Sequence, residues 1–303
     1  MKKLLGWIAL VVVVLLGAGA LYATSRVRSL ESEPLSADVH MLEGLGGNVA
    51  VLRTRAGAVV VDTMSFRMQG QRIRELAEQL GGGPVQAVIN THYHLDHTHG
   101  NPGFAPGTPV VATEKTLEHL KTRDASYWKG AAAETLPNDT FSDVHDLSIG
   151  GKTIRCFHPG RGHTDGDLVV LFVEDRVLHT GDLFFNHRYP SIDLEAGGSV
   201  REWADTLDRV LALDFDKVIP GHGPAADRAA LEQFRDFMRE LWRVTEDGVA
   251  KGESLAELQR TAPLHADAGY ETMAIPFVLR LDRSSVLERA YQEATRAKSG
   301  GGA

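Results

Sequence analysis

The chain has 303 residues, 43% of them apolar and 24% charged, a balance typical of a globular protein with one large domain or two average ones. Its net charge of -8 at pH 7 argues against a nucleic-acid partner, because proteins that bind polyanions usually present a basic face. The single cysteine, Cys156, excludes an internal disulfide and a cysteine-rich zinc knuckle. A bound metal must therefore use histidine and aspartate.

Residues 1–24 predict a membrane anchor or a signal peptide. Lys2 and Lys3 precede twenty residues without a charge, LLGWIALVVVVLLGAGALYA, which is about the length a helix needs to cross ~30 Å of hydrocarbon. A signal peptide cleaved near Ala18-x-Ala20 is the alternative, but its apolar region normally has only about 7 to 15 residues. Either interpretation places the remaining chain outside the cytoplasm, periplasmic or anchored in the membrane.

The chain from residue 38 to 297 predicts one α/β domain, because short apolar strands alternate with amphipathic helices and no repeat interrupts them. Polar residues 25–37 predict a linker before it, and residues 298–303 predict a disordered tail after it. The segment 48–64, NVAVLRTRAGAVVVDTM, predicts a hairpin that turns near Gly57, with a second strand buried on both faces.

Further elements follow the same alternation. Apolar residues on one face predict a helix from Ile73 to Leu80 that ends at a run of three glycines, and the strand VQAVIN follows it. Short apolar runs predict four more strands in TIRCFHPG, DLVVLFVED, RVLHTGDLFF and DKVIPGHG. Helical spacing predicts the last three helices over residues 201–213, 225–245 and 284–297.

Four histidines and an aspartate crowd the stretch NTHYHLDHTHGN, residues 90 to 101. His92 and His94 are two residues apart, so in an extended segment their side chains point the same way and can share one ion. Asp96 and His97 follow where the chain must turn, which can direct them to a second point nearby. This arrangement suits a pair of metal ions about 3.5–4 Å apart.

Three later stretches offer the ligands that this cluster lacks. His163 lies in GRGHTDGD, Asp182 in HTGDLFF and His222 in VIPGHG. Each residue is predicted at or just after a strand end beside glycine, which lets the backbone turn sharply. A lone histidine is more often packed or solvated than a ligand, so the signal comes from all of these residues in this order.

This ordered pattern resembles that of the metallo-β-lactamase-fold hydrolases, over about residues 38 to 225. The resemblance implies an αββα sandwich, two sheets packed face to face with helices outside and metals at one edge. It also implies two zinc ions, although iron or manganese accept similar ligands. One ion would be held by His92, His94 and His163, the second by Asp96, His97 and His222, with Asp182 bridging both.

The chemistry implied by this ligand set is hydrolysis. A hydroxide bridging two metal ions forms near neutral pH, because metal lowers the pKa of bound water from ~15.7 to about 7, and it would attack a carbonyl carbon. Asp96 is expected to orient that nucleophile and to shuttle a proton. Asp62, at the end of a buried strand, is expected to fix a ligand imidazole, and His179 to support the Asp182 loop.

Substrate contacts are expected from the segment after the bridging aspartate, LFFNHRYPSIDLEAGGS, through His187, Arg188, Tyr189 and Asp193. Cysteine-containing β-lactamases have cysteine at the position of Asp182, and quorum-quenching lactonases have tyrosine at that of Phe185. Glyoxalase II enzymes share the THYHLDH form, but their glutathione thioester is cytosolic. The β-lactamases that lack that cysteine usually also lack the bridging aspartate.

We therefore expect a dinuclear zinc hydrolase that acts on a small cyclic amide, lactone or ester, with β-lactam hydrolysis as one option. Two alternatives use the same ligands. A phosphodiesterase would exploit the same two-metal clamp, and an iron-dependent oxidoreductase would place iron among imidazoles and carboxylates.

Overall fold

The computed structural model describes residues 24–25, 27–275 and 279–300. Within these ranges no helix combines the length and the apolar character that crossing a bilayer requires. The segment predicted as an anchor or signal peptide lies, except for Thr24, outside the described residues, so that interpretation stays a prediction.

The first of two large sheets contains the amino-terminal strands in chain order. Its strands are β1 (Glu31–Pro34), β2 (Val39–Glu43), β3 (Val49–Thr54), β4 (Gly57–Val61), β5 (Val85–Ile89), β6 (Val110–Thr113) and β7 (Asp139–Phe141). Strands β1 to β4 pair antiparallel, whereas β4 to β7 pair parallel. The hairpin predicted near Gly57 is confirmed by the pairing of Thr54 with Gly57, and every residue of β4 is buried.

The second large sheet has the order β13-β12-β11-β10-β9-β8. Its strands are β8 (Val144–Ile149), β9 (Lys152–Phe157), β10 (Val169–Phe172), β11 (Val177–His179), β12 (Lys217–Ile219) and β13 (Ala226–Asp227). Neighbours in this sheet are antiparallel except β11 and β12, which are parallel. The carboxyl ends of β11 and β12 therefore lie at the same edge of the sheet.

Helices surround the two sheets. They are α1 (Arg67–Gly81), α2 (Leu95–Thr98), α3 (Glu114–Thr122), α4 (Val200–Leu211), α5 (Arg228–Lys251), α6 (Leu255–Thr261) and α7 (Arg283–Gly300). A small antiparallel hairpin, β14 (Met273–Ile275) with β15 (Leu279–Leu281), lies between α6 and α7 in the chain.

Three apolar clusters hold the layers together. The central cluster lies between the sheets and includes Met41 of β2 and Cys156 of β9, both fully buried. A second cluster joins α1, through Ile73, to the outer face of the first sheet. A third joins α4, α5 and α7 to the second sheet, with Phe234 among its members. The order of layers is αββα, so the mixed α/β architecture is confirmed.

Two predicted boundaries were wrong. The linker predicted over residues 25–37 contributes β1, whose four residues are all exposed and so lack the apolar alternation that predicts a strand. The last helix continues to Gly300 instead of ending at residue 297. Lys298 Nζ, within the predicted tail, donates a hydrogen bond of 3.1 Å to the Val249 carbonyl of α5.

The docking of α7 on α4 yields a stability prediction. Glu293 of α7 accepts hydrogen bonds from Ser199 Oγ at 2.6 Å and from the Val200 backbone N–H at 2.7 Å, at the buried start of α4. Hydrogen bonds to a charged group contribute about 1.5–3 kcal/mol, so Glu293→Ala should lower the free energy of unfolding by roughly that amount. Denaturant unfolding should show little change for Glu288→Ala, at an exposed position of the same helix.

Candidate metal centre

Three histidines and one aspartate form the first group of potential metal ligands. His92, His94, His163 and Asp182 each offer a ligand atom, and these atoms lie within 4.8 Å of one another. His163 Nε2 and His94 Nδ1 face each other at 2.7 Å, and Asp182 Oδ2 lies 3.5 Å from His163 Nε2. The structure thus brings His163 and Asp182, which are far from the cluster in sequence, beside the first two histidines.

Asp96, His97 and His222 form the second group, again with ligand atoms within 4.8 Å. Asp182 lies between the groups. Its Oδ1 atom is 3.2 Å from His97 Nε2 and 3.4 Å from His222 Nε2, whereas Oδ2 faces the first group. One carboxylate therefore presents one oxygen to each group, as the predicted bridging position requires.

A change of backbone conformation divides the histidine cluster between the two groups. His94 has extended dihedrals, φ -62° and ψ 150°, and the single helical turn α2 begins at the next residue. His92 and His94 leave the end of β5 toward the first group. The turn then rotates Asp96 and His97 toward the second group.

Hydrogen bonds fix the imidazoles of the first group. Thr91 Oγ1 donates to Asp62 Oδ2 at 2.8 Å, so it can accept a hydrogen bond from His92 Nδ1 at 3.1 Å, which leaves His92 Nε2 facing the site. His163 Nδ1 lies 2.8 Å from the Ser191 carbonyl oxygen, so its Nε2 is likewise free for the site. These contacts set the tautomer that a metal ligand needs.

Asp62 contacts an imidazole of the second group. Its Oδ2 lies 2.7 Å from His97 Nδ1, and its Oδ1 accepts the Thr91 backbone N–H at 2.8 Å. Asp62 has φ +65°, a left-handed conformation that aspartate tolerates better than most residues. His179 lies behind the loop of Asp182, where its Nδ1 accepts the Gly181 backbone N–H at 3.0 Å.

Two glycines admit the ligands at close range. A Cβ at Gly47 would collide with the His97 ring, and a Cβ at Gly221 would collide with Asp182 Oδ1. Gly221 also joins the loops after β11 and β12, because its backbone N–H donates to the Gly181 carbonyl at 2.8 Å. The close packing of backbone against ligand is therefore specific to glycine at both positions.

Burial and charge push the imidazole pKa values in opposite directions in the two groups. Burial lowers the pKa of His92 well below its usual value and that of His163 to about 4. Burial also opposes the charging of His97 and His222, but nearby carboxylates, foremost Asp182, outweigh it. The pKa of His97 is raised well above its usual value, and that of His222 to about 9.

The donor atoms of the site fit bound metal. Among the described residues, His92 Nε2, His97 Nε2 and Asp182 Oδ1 are buried polar atoms without a hydrogen-bond partner. Buried polar atoms are almost always hydrogen-bonded in proteins. Here three unsatisfied atoms point to the centre of one ligand set, and nitrogen and oxygen donors are those that bind zinc, iron or manganese.

The four residues predicted to contact substrate lie in different surroundings. His187 is exposed, and Arg188 is half-buried, near enough to Glu43 to lower that carboxyl's pKa against the larger, raising effect of burial. Tyr189 is buried, and its hydroxyl donates to Asp267 Oδ2 at 2.9 Å, so it packs in the core instead of lining an opening. Asp193 contacts a ligand histidine. Of these four residues, His187 alone is exposed and Tyr189 alone is buried.

Asp193 and Tyr93 form an outer contact that the sequence did not predict. Asp193 Oδ2 lies 3.0 Å from His94 Nε2 and accepts a 2.5 Å hydrogen bond from the Tyr93 hydroxyl. The opposite nitrogen of His94 faces the site. Asp193 comes from a turn about a hundred residues further along the chain, so spacing offers no signal for it. His99 instead pairs with Asp124 at 2.7 Å, outside both groups.

Comparison with known proteins places the chain in a family. A sequence model of the metallo-beta-lactamase superfamily matches residues 42–222, more than half of the chain. The chain is 28% identical to a metallo-beta-lactamase type 2 from Bacillus cereus over 200 residues, 65% of this chain and 75% of that protein. It is 27% identical to the 2,4-dinitroanisole O-demethylase subunit alpha of a Nocardioides strain over 218 residues, 72% of this chain and 63% of that protein.

Solved structures show the same fold. A metallo-beta-lactamase from Pontibacter korlensis superposes with a TM-score of 0.59 and 23% identity, covering 70% of this chain and 99% of that one. The layered fold and the two groups of His and Asp residues define a domain with a candidate metal site. The chain belongs to the metallo-β-lactamase superfamily and is a hydrolase of that superfamily.

The contact of Asp193 with His94 predicts an effect on metal affinity. Asp193→Asn removes the negative charge beside the imidazole, so affinity at the first group should fall by about 10–100-fold, as for other outer contacts of metal ligands. Tyr93→Phe keeps that charge and should lower the metal affinity less. Chelator competition would measure the metal affinity of both variants, with Asp124→Asn as the control whose affinity should not change. An Asp193→Asn variant with unchanged metal affinity would contradict the prediction.

The two groups should also differ in how metal affinity depends on pH. A metal displaces protons from the imidazoles it binds, so affinity rises with pH where those imidazoles are protonated. His97 and His222, with raised pKa values, should make affinity at the second group rise between about pH 6 and 9. The lowered pKa values of His92 and His163 should leave affinity at the first group nearly constant there.

Metal titrations of His222→Ala, which keeps the first group, and of His163→Ala, which keeps the second, would separate the two pH profiles. If metal affinity rose equally steeply with pH in the two variants, the predicted difference between the groups would be contradicted.

Proposed function

We propose that the protein is a dinuclear zinc hydrolase that cleaves the acyl C–N or C–O bond of a small cyclic amide, lactone or ester. The observation that carries this proposal is the position of Asp182, which presents one oxygen to each ligand group. One ion would be held by His92, His94 and His163, the other by Asp96, His97 and His222, and Asp182 would contact both.

Bound zinc would lower the pKa of a coordinated water toward about 7 and polarise the carbonyl of the substrate. Imidazole and carboxylate ligands without cysteine are typical of catalytic zinc sites, and they also suit iron or manganese. The chain supplies the position and orientation of these ligands through the contacts of Thr91, Ser191 and Asp62.

Asp96 is the best-placed group for moving a proton. Its side chain is 29% exposed and that of His94 25%, whereas the other ligands are 10% exposed or less, so the site opens at residues 94–96. Burial alone would raise the pKa of Asp96, but His97 and His222 lower it below its usual value. The carboxylate is thus ionised at neutral pH and can accept the proton of an attacking water, then pass it to the leaving group.

The relatives support a hydrolytic site without fixing its substrate. Their names include a metallo-beta-lactamase, an O-demethylase subunit and a linear primary-alkylsulfatase from a Pseudomonas strain. Phe185 stacks on His222 with a centroid distance of 5.3 Å and brings no hydroxyl to the site. We include β-lactams among the candidate substrates, together with lactones and esters.

We further propose that residues 1–24 hold this domain outside the cytoplasm. The support is the uncharged stretch from Leu4 to Ala23 behind two lysines, which is long enough to span a bilayer.

The substrate class can be tested by comparing nitrocefin, a lactone and bis-p-nitrophenyl phosphate, with bound metals counted. We expect about two zinc ions per chain, turnover of carbonyl substrates, and loss of that turnover on chelation with recovery on adding zinc. Activity on the phosphodiester alone would favour a phosphodiesterase. A chain that binds only iron and hydrolyses none of the three would favour an oxidoreductase.

The role of Asp96 makes a separate prediction. Asp96→Asn should lower kcat by about 10²–10⁴-fold, the usual contribution of a positioned acid or base. Zinc content must be measured for this variant, because Asp96 also faces the second group. Asp146→Asn, which changes an exposed carboxylate paired with Arg155 on β8 and β9, should leave kcat unchanged.

A further inference from the structure

Exposed apolar side chains gather at the opening of the metal site. Among the described residues, six large apolar side chains are well exposed, and four of them lie on segments beside the ligands. We call these four the apolar rim: Leu45 (56% exposed), Phe66 (46%), Met68 (38%) and Leu95 (53%). The other two, Val144 and Val173, belong to the second sheet and its turns, away from these segments.

Hydrogen bonds join the three segments that carry the rim. The Gly47 backbone N–H donates to the Asp96 carbonyl at 3.0 Å, which ties the loop of Leu45 to that of Leu95. Gln69 Nε2 donates to the Leu45 carbonyl at 2.8 Å, which ties the same loop to the start of α1. Because Leu95 lies between the two most exposed ligands, His94 and Asp96, the rim borders the opening itself.

The amino-terminal segment enters the domain at this same place. Leu30 packs against the cluster of α1 and the first sheet, and its side chain occupies the space where a Cβ of Gly44 would lie. Ser29 lines a surface pocket together with Gly44 and Leu45. Arg28 Nη2 lies 3.4 Å from Glu75 Oε2 of α1.

A short tether connects this entry point to the uncharged stretch. Residues 24–30 number seven and would span at most about 24 Å when fully extended. Thr24, Ser25, Val27 and Arg28 are helical, which shortens the span further because a helix rises only about 1.5 Å per residue. If Leu4 to Ala23 span a bilayer, the loop of Leu45 is held close to the lipid surface.

We propose that the apolar rim rests on the membrane surface, so that the opening of the metal site faces the lipid. This inference rests on the proposed anchoring. An apolar patch at the end of a short anchor is the kind of surface that inserts into the boundary between headgroups and acyl chains. Substrates that partition into the membrane would then reach the ligands directly.

Charges around the rim indicate which lipid it fits. Arg28 and Arg67 lie near it, but so do Glu31 and Glu43. Opposite charges in similar number leave little net attraction for anionic lipid. The rim should therefore contact a zwitterionic phosphatidylcholine surface through its apolar side chains, with little dependence on salt.

The full chain can be tested in phosphatidylcholine vesicles that contain lipid with a doxyl quencher near the headgroup. Single cysteines at Phe66→Cys and Met68→Cys would carry an environment-sensitive fluorophore, with Val144→Cys and Val173→Cys as matched exposed controls. Cys156 is fully buried and should not react. We expect quenching at the two rim positions to exceed that at the two controls by at least about twofold, and to persist in high salt.

Equal quenching at rim and control positions, or none at any of them, would overturn the proposal. So would a rim fluorophore that is shielded from water but not quenched by the lipid, because the rim would then be covered by the chain itself or by a second copy. Circular dichroism would show that each labelled variant is folded. The quenching is read without substrate, so its outcome is independent of whether the protein hydrolyses carbonyl compounds.

Discussion

The carboxylate of Asp182 lies where both groups of imidazoles meet, and the rest of the site depends on it. It is 4% exposed, and burying a carboxylate is costly unless positive charge or metal compensates. His97 and His222 face one of its oxygens, and His92 and His163 face the other. The two groups are therefore parts of one electrostatic unit.

The fold places that carboxylate through a single parallel pair of strands. Because β11 and β12 run in the same direction, the loops that carry Asp182 and His222 leave the sheet at one edge. Gly221 lets these loops touch, since any larger residue there would displace Asp182. The first sheet reaches the same edge through β4 and β5, which end one residue before Asp62 and three residues before His92.

Hydrogen bonds from residues outside the ligand set hold four of the five ligand imidazoles. Asp62, Thr91, Ser191 and Asp193 occupy the nitrogens that face away from the site. These contacts keep the ligand atoms pointing at one another even though their lone pairs repel. The same region presents the apolar rim, so the opening of the site combines a polar interior with an apolar margin.

Much of this arrangement could be predicted from sequence. The apolar run correctly predicted strand β4, and the run of glycines correctly predicted the end of α1. Both signals are local, because an uninterrupted apolar strand must be buried and consecutive glycines end a helix in most surroundings. The strand β1 and the segment of β6, α3, β7 and β8 were not predicted. Short strands with polar or mixed faces, such as the exposed β1, depend on pairing with a neighbour and carry little pattern of their own.

The sequence by itself determined the ligand types, their order and the division of the histidine cluster. These features depend on the two-residue spacing in an extended segment and on the turn that follows it, and both involve only a few neighbouring residues. Only the tertiary structure decided that Asp193 contacts His94, that Tyr189 belongs to the core, and that hydrogen bonds join the segments that carry the apolar rim. Those contacts join segments far apart in the chain, and contacts of that kind are set by how sheets and helices pack, which local spacing does not encode.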